Sequence, residues 1–182
     1  GAVTVAGGTL DIASYSDTVG AVTLSSGTIT GTTGVLTGSS YSITNSSGTT
    51  TIAAILGGSG NLTKSGAGAL TLSGNNTFSG TTTINEGSIT ITNANALGAT
   101  SSGTTIASGA MLSLDGGSGI VYAAEPITVS GSGISSAGAI RNVAGDNTLS
   151  GAITLGAATV ISTADASSPL RLTGTINGAY DL

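Results

Sequence analysis

The sequence predicts an all-β fold in which one chain coils repeatedly and stacks each coil on the last, a parallel β-solenoid. Three observations predict it. Aliphatic residues return at a spacing of nineteen: Val5, Leu24, Ile43 and Leu62 form one series, and Val3, Val22 and Tyr41 run two positions ahead of its first three members. Apolar and polar residues alternate over very short runs, which turns one set of side chains inward and the other toward water. Glycine falls between those runs, where sharp bends are needed. Short strands of fixed period mark repeats that cannot bury their apolar faces alone and must stack to do so.

Taken in order, apolar–polar–apolar triplets begin at Val3, Leu10, Val22, Leu70, Ile89, Leu112, Ile127, Ile153 and Leu170. Threonine fills many of the outward places, where β-branching favours extended backbone. Leu70 and Leu72 recur nineteen residues on as Ile89 and Ile91, and Asn76 and Phe78 as Asn95 and Leu97. Ile134, Ile153 and Leu172 keep the same interval. Gly7, Gly8, Gly27, Gly57, Gly58, Gly60, Gly74, Gly87, Gly116 and Gly117 read as corners, because glycine reaches positive φ at little steric cost. No window of a dozen residues carries apolar groups at helical spacing without an intervening glycine, so helices are not expected. Between residues 100 and 131 the spacing loosens. The segment 116–126 reads as an inserted or bulged loop, with Pro126 at a corner or strand start because it lacks a ladder donor. Residues 1–182 form a single solenoid in this reading, roughly nine rungs of about 19–22 residues and ~40–45 Å long at ~4.8 Å per rung.

Composition limits the core and excludes several functions. The chain has 31 Gly and 2 Pro, with aromatics at 3 % and charged residues at 6 %, against roughly 25 % charged in a typical soluble domain. Disorder goes with low hydrophobicity and high net charge, whereas this chain is 38 % hydrophobic with a net charge of −5. A narrow core of Val, Ile, Leu and Ala fits best. Lys64, Arg141 and Arg171 are the only cations. Three scattered positive charges neither neutralise a run of phosphates nor make a polybasic membrane patch, so no nucleic-acid partner is expected. With no His and no Cys, the usual zinc site, a thiol nucleophile and a disulfide are all excluded. The densest apolar run, residues 52–56, is far short of the ~18–20 residues of a membrane span. No basic leader opens the sequence, and the chain reads as a mature or excised segment with any export signal outside it.

Residues 56–98 carry a denser pattern. Leu62, Thr63, Lys64, Gly66 and Gly68 are followed by Leu70, Thr71, Leu72, Ser73 and Gly74. Asn76, Thr77, Phe78, Ser79 and Gly80 come next, then Thr82, Thr83 and Ile84, and finally Ala96, Leu97 and Gly98. This order resembles the strand repeat of the passenger regions of bacterial autotransporter proteins, with Glu86 standing where that repeat usually has Gly. The resemblance implies a right-handed parallel β-helix, exported by a bacterium with an outer membrane and displayed at or beyond its surface. It covers about forty residues closely. It implies no catalytic residues, and it does not extend to the family's membrane-embedded translocator barrel.

Motifs that suggest chemistry each have a plainer reading. Gly57, Gly58, Ser59 and Gly60 begin like a calcium-binding nonapeptide, yet Leu62 stands where a carboxylate is required. Val121 stands likewise after Gly116, Gly117 and Gly119. Both read as glycine corners. Serine is plentiful, but without His it has no ordinary base, and Lys64 is the lone substitute. Two pairs of carboxylates, Asp11 with Asp17 and Asp115 with Glu125, are the one enzymatic pattern, since polysaccharide cleavage uses paired acids. Arg141 and Arg171 are too far apart in sequence to assist either pair, and solvated acids that resist edge pairing are the simpler reading. Tyr15, Tyr41, Tyr122, Tyr180 and Phe78 make no stacking stripe. Tyr41 and Phe78 are expected to pack inside, and Tyr122 to be exposed. Asn76 and Asn95, one period apart, suggest an internal amide ladder. Asn45, Asn61 and Asn75 open Asn-x-Ser/Thr triplets of the kind chance supplies in so Ser- and Thr-rich a chain.

The sequence therefore points to a non-catalytic extracellular structural protein, a rod that forms a stalk of a secreted surface protein or a head-to-tail fibre subunit. No catalytic, cofactor-binding or metal-ligating residue is expected, and no cofactor. The partners expected are copies joined end to end or neighbouring repeats of a longer chain, with a glycan or cell-surface ligand as a further candidate. An adhesin or polysaccharide-binding module, acting through Tyr122 and Asp115, is the alternative, and a polysaccharide-degrading enzyme the weaker one.

Overall fold

Every ladder in the molecule is parallel, so each strand pairs with its equivalent one coil later and not with its neighbour in sequence. The computed structural model describes residues 1–182. The chain winds through about 8 stacked turns, and its only helical piece is the 3-10 turn Ile134–Ser136.

Three faces repeat in each turn. On the first, Val3, Val22, Tyr41, Leu62, Thr82, Thr104, Ile127, Ile153 and Ile176 stand one above another. On the second, Leu10, Ile29, Ile52, Leu72, Ile91 and Leu114 are stacked in register. The third face has shorter strands: Val35–Thr37 and Ile55–Gly57 toward one end, Val121–Tyr122, Asn147–Leu149 and Leu170–Leu172 toward the other. Between those groups irregular backbone continues the stack, with the Thr77 N–H donating to the Leu56 carbonyl at 2.8 Å and the Ala99 N–H to the Phe78 carbonyl at 2.9 Å.

Alternation builds the core. Leu70, Leu72, Ile89 and Ile91 are buried while Thr71 and Thr90 between them are half-exposed. The buried aliphatic side chains form one continuous column running from Val5 to Leu155. Tyr41 and Phe78 lie inside it, their ring centroids 5.9 Å apart with planes tilted by 52°. At the ends the strand edges are bare: Val3–Asp11 pairs on one side only, and so do Ile161–Thr163 and Ile176–Asn177.

The period is less regular than the spacing of nineteen predicts. Val22 to Tyr41 is nineteen residues, but Tyr41 pairs with Leu62 and Ile43 with Lys64, both twenty-one apart. Leu62 is therefore not the successor of Ile43. The reason is a wider corner: Leu24 to Ile29 spans five residues, Ile43 to Ile52 nine, and the following leg to Leu56 shortens to compensate in part. The series Ile134, Ile153 and Leu172 is coincidental. Ile153 belongs to the first face beneath Ile176, Leu172 to the third face above Leu149, and Ile134 to the 3-10 turn. Within 116–126, Val121–Tyr122 is a strand that pairs with Asn147–Leu149. The longest coil encloses this segment: Leu114 pairs with Asn142, and the excursion that contains Ile134–Ser136 lies further along it.

Core and surface positions of a single strand should respond very differently to truncation. Leu72, fully buried between Ile52 and Ile91, loses about 2–5 kcal/mol on substitution by Ala. Thr71→Ala, one position away on the outward side, should stay within ~0.5 kcal/mol. Urea unfolding of the two variants beside the parent checks the inward–outward assignment.

Candidate functional site

The polar side chains that face inward gather at the corners between faces, and most have a backbone group to satisfy. A parallel coil leaves some N–H and C=O groups pointing into the stack wherever a strand ends, and water does not reach them. In this chain Lys64, Asn76, Tyr41, Asn45, Asn142 and Asn147 take that role, while Glu125 is buried without a backbone partner.

Lys64 stands in the column between Ile43 and Ile84, a register position otherwise held by aliphatic residues, and is 0 % exposed. Its Nζ donates to the Gly66 carbonyl and reaches the Glu86 carbonyl at 3.4 Å. Burial pushes its pKa down, and the Glu86 carboxylate offsets part of that. Gly87 closes the corner at φ +70°, and a Cβ there would lie 2.8 Å from the lysine Nζ.

Asn76 joins three coils: Oδ1 accepts the Leu56 N–H at 2.8 Å and Nδ2 donates to the Ala96 carbonyl at 2.6 Å. The Tyr41 hydroxyl accepts the Gly38 N–H at 2.7 Å and faces the carbonyls of Leu36 and Gly57 at 2.7 and 2.6 Å. Burial raises its pKa, and its backbone hydrogen bonds at Gly38 and Gly57 oppose the rise. Further along, Asn147 Nδ2 donates to Asn142 Oδ1 at 2.6 Å, and Asn142 Nδ2 donates to the Gly145 and Ser168 carbonyls at 2.8 Å each.

Glu125 is the buried acid, 5 % exposed. Its Oε1 accepts the Thr104 hydroxyl at 2.9 Å, while Oε2 has no partner. Burial pushes its pKa up to about 7, with the Thr104 hydrogen bond opposing.

The residues singled out in the sequence scatter over the rod. Asp11 and Asp17 are exposed, and each accepts a local backbone N–H, from Ala13 and Thr18 respectively, at 2.8 Å. Arg141 lies on the second face and Arg171 on the third, in separate sheets. Asp115 and Glu125 part company, because Asp115 sits at a strand end near Tyr122 while Glu125 turns inward. Tyr122, expected at the surface, is 3 % exposed and donates its hydroxyl to the Ile91 carbonyl at 3.1 Å. The exposed aromatics are Tyr15 and Tyr180. The predicted Asn76–Asn95 ladder is also replaced: Asn95 Nδ2 donates to Asn75 Oδ1 at 2.8 Å on the outside, and Asn76 stays inside. Sequence reasoning missed Lys64 and Glu125 as buried groups. The signal for Lys64 was available, since aligning Leu62 with Tyr41 carries Lys64 into the column. Glu125 had none beyond its place before Pro126. No three His, Cys, Asp or Glu side chains converge anywhere on the rod, and no helix is long and apolar enough to cross a membrane.

The fold and its corner side chains define a parallel β-solenoid whose inward polar groups satisfy its own backbone. Residues 62–91 match the family described as passenger-associated-transport-repeat. That stretch spans Lys64, Asn76 and Phe78 together with the strands Leu62–Lys64, Ala69–Leu72, Thr82–Ile84 and Ser88–Ile91. No curated protein and no solved structure matches the chain.

Two measurements check these roles. Asn76→Ala strands the Leu56 N–H and the Ala96 carbonyl inside the stack, and should cost roughly 2–4 kcal/mol in urea unfolding. For Lys64, the folded protein gives up the proton before the unfolded chain does, because the folded pKa is depressed below 10.5. Stability from this site therefore rises with pH through the window below 10.5 in which the unfolded chain still holds the proton that the folded protein has lost. Thermal melts should find the parent gaining on Lys64→Met as pH climbs toward 10.5.

Proposed function

We propose that this chain is a non-catalytic extracellular rod, a structural segment of a passenger region at or beyond the surface of a bacterium. The observation that carries this reading is the filled interior. Aliphatic columns occupy the stack from Val5 to Leu155, and the narrow cavity beside Glu125 measures only about 10 Å³. Such a space admits about one water and no substrate. The corner amides and Lys64 spend their hydrogen bonds on the rod's own backbone, so they act on stiffness and register. The passenger-associated-transport-repeat at residues 62–91 supports export and display. Strands with one free side at each end support extension by further repeats or by a second copy, since an unpaired edge in register templates the next strand.

A second reading, attachment to a neutral glycan, has one observation in its favour. An open groove of about 440 Å³ on the outer face is lined by Asn75, Asn95, Thr77 and Thr100, whose amides and hydroxyls complement sugar hydroxyls. No aromatic ring lines that groove.

Negative-stain electron microscopy separates these readings from catalysis. Straight rods ~40 Å long, or multiples of that length, are expected from about 8 turns. Compact particles would overturn the rod. Incubation with a panel of neutral and acidic polysaccharides should release no product, and steady product release would assign an enzyme instead. Retention on a neutral glycan column that disappears in an Asn75→Ala, Asn95→Ala double variant would favour the second reading.

A further inference from the structure

We propose that Glu125 makes the coil between residues 94 and 127 a proton-dependent joint, closed while its carboxyl carries a proton and opened when that proton leaves. The geometry is that of a carboxylic acid buried against hydrocarbon, with the Thr104 hydroxyl as its one hydrogen-bond partner. Glu125, 5 % exposed, borders a narrow, partly open cavity with Ile91, Leu97, Ile127 and Leu149, and one of its two oxygens is buried with no partner.

Every element packed around it has been stripped of positive charge. The leg from Ile91 to Gly98 offers Ile91, Ala94 and Leu97; Thr104–Ile106 offers the Thr104 hydroxyl; Asn147–Leu149 offers Leu149. On its own side stand Ala123, Ile127 and Tyr122, whose hydroxyl is committed to the Ile91 carbonyl. The charge beyond Tyr122 is Asp115, which is negative. An ionised Glu125 would thus lie in apolar surroundings without a cation, and a space of about 10 Å³ holds about one water, too few to solvate a carboxylate. The coil must part to admit solvent. Gly151 of the next coil rests on the Glu125 backbone, and this is the contact that a local opening separates.

The direction follows from the proton balance. In the folded rod the group titrates at about 7 against an ordinary 4.5, so the folded state keeps a proton that the unfolded chain has released. Stability from this site is full on the acid side, falls as pH rises between 4.5 and about 7, and is level above that.

The test compares the parent with Glu125→Gln, which keeps the shape and a partner for Thr104 but cannot ionise. Melting temperatures and amide hydrogen exchange are measured at about pH 5 and about pH 8, exchange being corrected for its intrinsic pH dependence. The parent should lose several degrees more than the variant between the two conditions, and its residues 120–127 should exchange faster at the alkaline one. Equal pH dependence in parent and variant would overturn the proposal. If the variant does not fold, the parent alone decides. A carboxyl carbon resonance of Glu125 that titrates near 7 supports the joint, and a midpoint near 4.5 removes it.

Discussion

The structure depends on one constraint: each coil must set an apolar side chain directly upon the equivalent side chain of the coil below. Parallel strands of three or four residues have too little ladder of their own to hold together, and lateral extension through equivalents supplies the rest. A slip of one residue would turn a whole strand's apolar set outward. Register is therefore kept where length is not. On the first face the step grows from nineteen residues, Val3 to Val22, to twenty-six, Ile127 to Ile153, yet the paired residues still stack. The corners absorb the difference.

Absorbing it has a consequence inside the corners. Wide bends leave backbone groups within the stack, and the chain answers with a small set of polar side chains that face inward. Asn76 satisfies the coil below through Leu56 and the coil above through Ala96. Lys64 takes the same kind of role with an ammonium group, which reaches further and accepts the energetic penalty of burial in return for serving two carbonyls. Both lie within the passenger-associated-transport-repeat. The repeat thus spans two stacked strands on each of the first and second faces, together with polar groups that tie it to the coils on either side.

How much of this was legible follows from what each signal measures. The alternating triplets at Leu70 and Ile89 were readable because burial there depends only on strand period, and the pairing of Leu70 with Ile89 agrees. Ile43 and Leu62 misled because the corner between Ile43 and Ile52 is longer than its predecessor, and a spacing count cannot locate extra residues inside a Gly- and Ser-rich bend. Asn76 and Asn95 failed in a similar way. A shift of one residue moves an amide from inside to outside, so Asn95 meets Asn75. Tyr122 looked exposed because its neighbourhood lacks periodicity, but irregular sequence does not mean irregular packing. Its ring is buried in the column beneath Leu149. Glu125 was hidden for a different reason: nothing local distinguishes a buried acid from a solvated one, and only the assembled walls of Ile91, Leu97 and Leu149 do so.

A one-dimensional stack changes what a single weak point can do. In a globular domain a strained group is held by contacts from many directions. Here each coil touches only its two neighbours, so stability adds along the axis coil by coil. A rod loaded along its length is then no stronger than its least stable coil, and the coils on either side cannot share the load around it. A carboxyl without a cation, set in the long coil that runs from Leu114 to Asn142 and contains Ile134–Ser136, places that weak point inside the rod and not at its ends. The apolar column that makes the rod stiff is what makes one unpartnered oxygen within it consequential.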